Sequence, residues 1–314
     1  MPLWKHYHLP TTVSEALAQL RAYGGEARVV AGGTDLLLEL QQGRKPPVAA
    51  LVDITRISEM TIIREADGYL YLGAGVTHTS ITNSPILISH ATCLVESCGV
   101  IGGPQVRNVA TIGGNVAHAL PAGDGTLSLV ALEAEAEIAK TDDGSPDAVI
   151  RQWRPIQSLF KGPGKSAVDQ SRELIVQFRF RPTGPGEATA FKRIMRPQGV
   201  ALPILGLAVW VRARGDRIEN AVIENARLAL GPAGPAPLRA AQAEAFLRGK
   251  PFTAELLPAV AEMILKDARL RTSPHRATAE YRRELILPLV ERALTLAVNR
   301  AVTGVVEPEG VDEG

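Results

Sequence analysis

Two glycine-rich turns are the residues in this chain whose types and spacing speak most directly of chemistry. The first is Val29-Val30-Ala31-Gly32-Gly33-Thr34-Asp35-Leu36; the second, about eighty residues later, is Ala110-Thr111-Ile112-Gly113-Gly114-Asn115. Each follows apolar or β-branched residues and presents small residues, so bare backbone N–H groups are expected at both. Glycine permits positive φ and lets a ligand approach the backbone closely. A run of amides without side chains in the way forms an anion cradle suited to phosphate. Two cradles of the same form, Gly-Gly followed by a polar residue, imply a ligand with two phosphates, a dinucleotide. Asp35 is expected as the N-cap of a helix beginning at Leu36, with its backbone rather than its charge turned to the ligand.

Other phosphate and catalytic signatures fail. Gly73-Ala74-Gly75 lacks the third glycine of a Rossmann fingerprint, since His78 stands there, and Gly164-Lys165-Ser166 has Leu159 where a P-loop needs its first glycine. Both read as surface turns. No Gly-x-Ser-x-Gly nucleophile elbow occurs. His6 and His8 share one face of an expected strand but have no third ligand nearby. His118, just after the second turn, is expected to make a polar contact to backbone. Arg107 is assigned a structural role. Cys93 and Cys98 are two small apolar side chains in a helix, and two thiols are too few for an iron–sulfur cluster.

Composition narrows the class. The chain has 314 residues, 46% of them hydrophobic, which is enough for two or three domains with real cores. A net charge of +1 and 4% aromatic residues provide neither the field nor the stacking surface for nucleic acid. No apolar run reaches the roughly 20 residues of a membrane span, and the N-terminus lacks an apolar signal core, so a cytoplasmic protein is expected.

The elements that must position the turns are legible in outline. Residues 4–9 read as a strand. Thr12 and Glu15 form a capping box for a helix carrying Val13, Leu17 and Leu20, which Gly24-Gly25 ends. Residues 28–31 are a strand feeding the first turn, 36–40 a helix, and 48–54 a strand. Residues 61–64 and 69–74 follow as strands. Ser84-Pro85 starts a helix with Leu87, Ala91, Leu94 and Cys98 on one face, which Gly99 stops. Residues 133–139, 148–153 and 173–180 are strands. After the linker Arg181-Pro182-Thr183-Gly184-Pro185-Gly186, residues 201–212 and 218–230 read as long antiparallel strands. Helices are expected over 239–247, 253–269 and 276–301, then a disordered acidic tail. The basic run from Arg269 to Arg283 is interleaved with Glu280 and Glu284 and is assigned to packing and partner contact.

With these residues in hand, the chain resembles the flavin-binding subunits of the molybdenum hydroxylases, a group that includes xanthine dehydrogenase, aerobic carbon monoxide dehydrogenase and the hydroxybenzoyl-CoA reductases. The two turns match its signatures in order and spacing. The likeness continues through Pro121-Ala122-Gly123-Asp124, Ala190-Phe191-Lys192 and Arg276-Ala277-Thr278-Ala279-Glu280-Tyr281-Arg282-Arg283. The four-cysteine insertion of some hydroxybenzoyl-CoA reductase subunits is absent.

The resemblance implies an α+β fold: a two-part FAD-binding domain of the vanillyl-alcohol oxidase type, over 1–55 and 56–181, then a domain of a small antiparallel sheet and helices over 187–303, and a tail over 304–314. It implies FAD as the cofactor of this chain. Residues Val29 to Leu36 would wrap the diphosphate and ribityl part, and Thr111 to Asn115 would contact it from the other side. Ile101 and Ile175 would pack on the two faces of the ring. Asp124 would touch FAD, and Lys192 would sit near the ring's polar edge. Molybdopterin and [2Fe–2S] clusters would lie on a large molybdenum-binding subunit and a small iron–sulfur subunit, in a dimer of heterotrimers. Electrons would leave to NAD⁺, a quinone or another small-molecule acceptor. The alternative is an independent FAD oxidoreductase with its own organic substrate; a third reading is a scaffold without flavin. The substrate is not encoded in this chain.

Overall fold

The computed structural model describes residues 2–310 apart from 143, 146, 147, 197–201 and 275. In chain order the strands are β1 (Trp4–His8), β2 (Ala27–Val30), β3 (Val48–Asp53), β4 (Ile63–Ala66), β5 (Tyr69–Gly73), β6 (Glu135–Thr141), β7 (Val149–Pro155), β8 (Phe160–Gly162), β9 (Lys165–Ser166), β10 (Glu173–Phe180), β11 (Glu187–Met195), β12 (Pro203–Arg214), β13 (Val222–Gly231), β14 (Leu238–Arg239) and β15 (Lys250–Pro251). The helices are α1 (Val13–Ala22), α2 (Leu36–Gln41), α3 (His78–Thr82), α4 (Pro85–His90), α5 (Thr92–Gly99), α6 (Pro104–Arg107), α7 (Ile112–Ala117), α8 (Asp124–Ala131), α9 (Ala241–Leu247), α10 (Leu256–Asp267), α11 (Ala279–Glu284) and α12 (Ile286–Thr303). Contacts divide the chain into two units that interleave in sequence: Met1–His78, Pro104–Ala119 and Ala134–Arg181 form one, and Thr79–Gly103, Leu120–Glu133 and Pro182–Gly314 the other.

The first unit holds a parallel sheet in the order β1-β3-β2 and an antiparallel sheet in the order β4-β5-β10-β6-β7. Parallel strands need a crossover, and α1 supplies the one between β1 and β2. Thr12 caps α1 by accepting the Glu15 amide at 3.1 Å, worth about 1 kcal/mol. The Glu15 carboxylate takes the Thr11 amide at 2.7 Å, so the reciprocal half of the expected capping box is displaced by one residue. Val13, Ala16, Leu17 and Leu20 are the buried stripe of α1. The first glycine turn leaves the carboxyl end of β2, the place where parallel α/β sheets present loops to ligands.

The second unit is built on β12, whose residues from Pro203 to Val211 are all buried. Such an unbroken run is what a strand covered on both faces requires. Long α12 packs on β11 and β12, while α5 packs on β11 and α8 on β12 and β13. This pairing draws residues 79–103 and 120–133 to strands that follow them in sequence. Residues 127–132, merely apolar in the sequence, lie in helix α8 and its C-cap. The single helix expected from Ser84 is two, because Ala91 adopts φ −154° and ψ 45° between them. The expected helix over 276–301 is likewise divided at Leu285 into α11 and α12. Ala201, expected to open a strand, lies outside the described residues.

One buried ion pair ties this unit together. Glu96 of α5 and Arg300 of α12 meet at 2.7 Å with 1% and 2% of their side chains exposed. Glu96 also accepts the amides of Phe191 at 2.7 Å and Glu309 at 2.9 Å, and Arg300 donates to the carbonyls of Thr189 and Glu307. The segment after α12 is therefore fixed as far as Gly310, where the sequence predicted disorder from residue 304; residues 311–314 lie outside the described residues. Its Glu309 carboxylate finds a partner, Lys192, that composition alone does not reveal. Replacing Arg300 by Met is expected to cost about 3–5 kcal/mol by stranding the Glu96 carboxylate. Denaturant unfolding checks this, and a loss below about 1 kcal/mol would mean the pair is not a keystone.

Candidate functional site

In the first unit both glycine turns border one open cleft of about 510 Å³, lined by Val29, Ala31, Gly113, Gly114, Gln170 and Ile175 among others. Ile175 precedes a bulge in β10, where the pairing with β6 shifts between Ile175 and Gln177. The residue skipped, Val176, accepts the Ala74 amide at 2.9 Å, tying β10 to the segment beneath the second turn.

The two turns come together through backbone contact. A Cβ on Gly32 would sit 2.1 Å from the Val109 carbonyl oxygen, and one on Gly113 would sit 2.5 Å from that of Ala74. Both positions exclude any side chain because main chain packs on main chain. Gly33 differs: its φ is +68°, a conformation that β-branched residues strongly resist.

The amides of the two turns are used differently. In the first, Leu37 donates to the Gly33 carbonyl and Glu39 to that of Asp35, both at 2.9 Å. The amides of Gly32, Gly33 and Thr34 have no acceptor among the described residues. Unpaired amides of this kind call for a partner, and three in succession at the head of a helix suit an anion. In the second turn, Ile112 donates to the Val76 carbonyl, Gly113 to Ala74 and Asn115 to Thr111. Gly114 donates to the Thr111 hydroxyl at 3.1 Å, with Thr111 as N-cap of α7. The run of bare amides expected at both turns is therefore found at the first, whereas in the second the amides of Ile112 to Asn115 are taken by Val76, Ala74 and Thr111.

Other predicted positions fall as follows. Val30 and Ile112 are buried in the core. Asp35 occupies the N-cap position of α2 but makes no capping bond, since its backbone is helical rather than extended. Its carboxylate instead lies 3.9 Å from Nε2 of His118, linking the two turns. Ile101, Asp124 and Lys192 belong to the second unit. Ile101 is half-buried. Asp124 is buried and meets Arg193 at 2.6 Å through Oδ2. Its Oδ1 and the Nε of Arg193 lack partners. Burial pushes the Asp124 carboxyl up to about 6 against the pull of Arg193. Lys192 pairs with Glu309 at 2.6 Å. Gln170, which sequence reasoning missed, holds the Ala117 carbonyl at 2.7 Å and borders the cleft; no motif surrounds it to signal this.

Cys93 and Cys98 are free, buried thiols. Burial pushes Cys93 up to about 12, so it stays a thiol at physiological pH. Among the described residues no group of three or more histidine, cysteine or carboxylate side chains is arranged to hold a metal, and no helix is long and apolar enough to cross a membrane.

Residues 4–182 match the FAD binding domain in molybdopterin dehydrogenase, and residues 189–297 match the CO dehydrogenase flavoprotein C-terminal domain. The putative xanthine dehydrogenase FAD-binding subunit XdhB of Escherichia coli strain K12 is 32% identical over 298 residues, covering 94% of this chain and 96% of that one. The carbon monoxide dehydrogenase medium chain of Hydrogenophaga pseudoflava is 30% identical over 291 residues, covering 93% and 96%. A solved structure of carbon monoxide dehydrogenase from the same organism, lacking the Mo-pyranopterin moiety of its cofactor, has a TM-score of 0.84 at 31% identity and covers 95% of this chain and 98% of its own. With both halves matched and the whole length aligned, the chain belongs to the FAD-binding medium subunits of the xanthine dehydrogenase and carbon monoxide dehydrogenase family, flavoprotein components of molybdenum-containing oxidoreductases whose molybdenum and iron–sulfur cofactors lie on other subunits.

Proposed function

We propose that this chain is the electron-transfer flavoprotein of a molybdenum hydroxylase, receiving electrons from [2Fe–2S] clusters on a small partner and delivering them to NAD⁺, a quinone or another small-molecule acceptor. The observation that carries this reading is the run of unpaired amides at Gly32, Gly33 and Thr34 beside a cleft, in a chain alike along its whole length to FAD-binding subunits. The partners are a large molybdenum-binding chain and a small iron–sulfur chain, assembled as a dimer of heterotrimers in the cytoplasm.

When bound, FAD supplies the capacity to take up electrons singly and release them in pairs. The residues of this chain bind and tune. The amides of Gly32, Gly33 and Thr34 hold the diphosphate, with the head of α2 adding its partial positive charge. Thr111 to Asn115 form the opposite wall. The amides of Ile112 to Asn115 are already satisfied, so they contribute shape rather than anion binding. Ile175 and Ile101 supply apolar surface for the ring. Asp124 and Lys192 set its polar surroundings, with the Lys192 ammonium moderated by Glu309. No side chain acts as catalytic acid or base.

Affinity purification from the native host, with a visible spectrum and mass spectrometry, tests the whole reading. Flavin and iron–sulfur absorption with two further chains is the expected result; flavin without partners would point to an independent oxidoreductase. Gly33→Val is expected to lose bound flavin, as read from absorbance, while circular dichroism stays close to wild type. A full flavin spectrum in that variant would remove the first turn from the site. Lys192→Met is expected to retain flavin and lower its midpoint potential, and an unchanged potential would make Lys192 a surface lysine paired with Glu309. Asp124 provides a pH test. Its folded value lies above its ordinary 3.8, so the stability it contributes is present below about pH 4 and is lost as pH rises through about 6. The stability gap between wild type and Asp124→Asn is expected to shift against wild type by up to about 3 kcal/mol over that window, measured by urea unfolding. A gap that does not change with pH would contradict the assignment.

A further inference from the structure

A group of arginines lies in the second unit, in the basic stretch that the flavin reading leaves without a task. The turn between α10 and α11 is held closed by its own backbone. Ser273 donates to the Ala277 carbonyl at 2.9 Å and Arg276 to that of Ser273 at 3.2 Å, and Ala279 donates to the Thr272 hydroxyl at 3.1 Å. Arg271 and Arg276 thus stand on the two arms of one stapled turn. Arg196, just beyond β11, reaches the Arg276 carbonyl through Nη2 at 3.4 Å. Arg282 of α11 is 2% exposed and donates to the Ile204 carbonyl, and its Nε is buried without a partner.

Arg271, Arg276 and Arg282 thus act on one another as like charges, Arg196 joins them at the Arg276 carbonyl, and none of the four has a carboxylate within 4.0 Å among the described residues. Glu280 and Glu284, adjacent in sequence, are exposed and form no such pair. Elsewhere in the unit Arg193, Arg212, Arg227, Arg239 and Arg300 each have an acidic partner, while Arg248, Arg269, Arg283 and Arg292 are scattered arginines without one among the described residues. Burial, and then the charge of Arg271, makes the cationic form of Arg276 harder to keep; Arg282 is disfavoured by burial, then by Arg276 and Arg271. Like charges gathered in a partly desolvated place are destabilising unless an anion completes them. Planar guanidinium forks match the tetrahedral oxygens of phosphate best.

We propose that Arg196, Arg271, Arg276 and Arg282 of the second unit form a binding site for an oxyanion of the phosphate class. Its source is either a free inorganic phosphate or the diphosphate of a nucleotide, and the site reads the chemistry the two share. The proposal does not rest on the flavin assignment.

Titration of inorganic pyrophosphate into the flavin-loaded full-length chain at low ionic strength, followed by calorimetry, tests it. Saturable binding is expected, weakened about tenfold by Arg271→Gln and by Arg276→Gln, and less by Arg276→Lys, which keeps the charge but loses the fork. Arg282 is left intact because it holds the Ile204 carbonyl. Binding that survives in Gly33→Val but fails in Arg276→Gln separates this site from the flavin cleft, so either reading can fail alone. ADP binding more tightly than pyrophosphate would assign the site to a nucleotide; equal affinity would assign it to the inorganic anion. Absence of saturable binding, or wild-type affinity in both glutamine variants, would overturn the proposal.

Discussion

The backbone of Gly32 lies so close to the Val109 carbonyl that even a methyl group there would fall 2.1 Å from the oxygen. The rest of the first unit depends on this approach and on the matching one of Gly113 to Ala74. Together they bring the loop after β2 and the start of α7 to one cleft. The same glycines that look like ligand cradles in sequence are thus also spacers that let two main chains touch. Only then do Val29 and Ala31, at the start of the first turn, share a cleft with Ile175 and Gly114. A glycine pair can serve both purposes because its two members are used differently: Gly32 for contact and Gly33 for a left-handed φ.

The second unit is organised by a different force. Its sheet is apolar on both faces, and helices drawn from three separated stretches of chain cover it. Burial of side chains such as Leu207, Leu289 and Leu294, each worth about 2 kcal/mol, supplies most of the cohesion. The Glu96–Arg300 pair adds specificity of position, since Glu96 also holds the amides of Phe191 and Glu309 and Arg300 the carbonyls of Thr189 and Glu307. It also holds the segment after α12 where Glu309 meets Lys192 of β11.

Charge is distributed to match these roles. Acidic partners neutralise Arg193, Arg212, Arg227, Arg239 and Arg300 around the second sheet, whereas Arg271 and Arg276 have none among the described residues. In the first unit the first turn presents unpaired backbone amides at Gly32, Gly33 and Thr34 rather than basic side chains.

The sequence by itself determined the periodic and local features. The stripe of α1, the strand that feeds the first turn and the paired Gly-Gly motifs depend on neighbours a few residues away, and each is where the pattern places it. The sequence also carried enough of a family pattern to name the cofactor. What only the tertiary structure decided concerns contacts over long separations. The second turn looked open because nothing nearby in sequence shows that Ala74 and Val76 would take its amides. The tail looked disordered because Glu96, more than two hundred residues away, holds it. Residues 127–132 looked merely apolar because an apolar run of that length suits a strand or a buried helix equally. The physical reason is common to all three: a donor's partner, a terminus's anchor and a segment's covering face are fixed by packing between distant elements, which local composition does not specify.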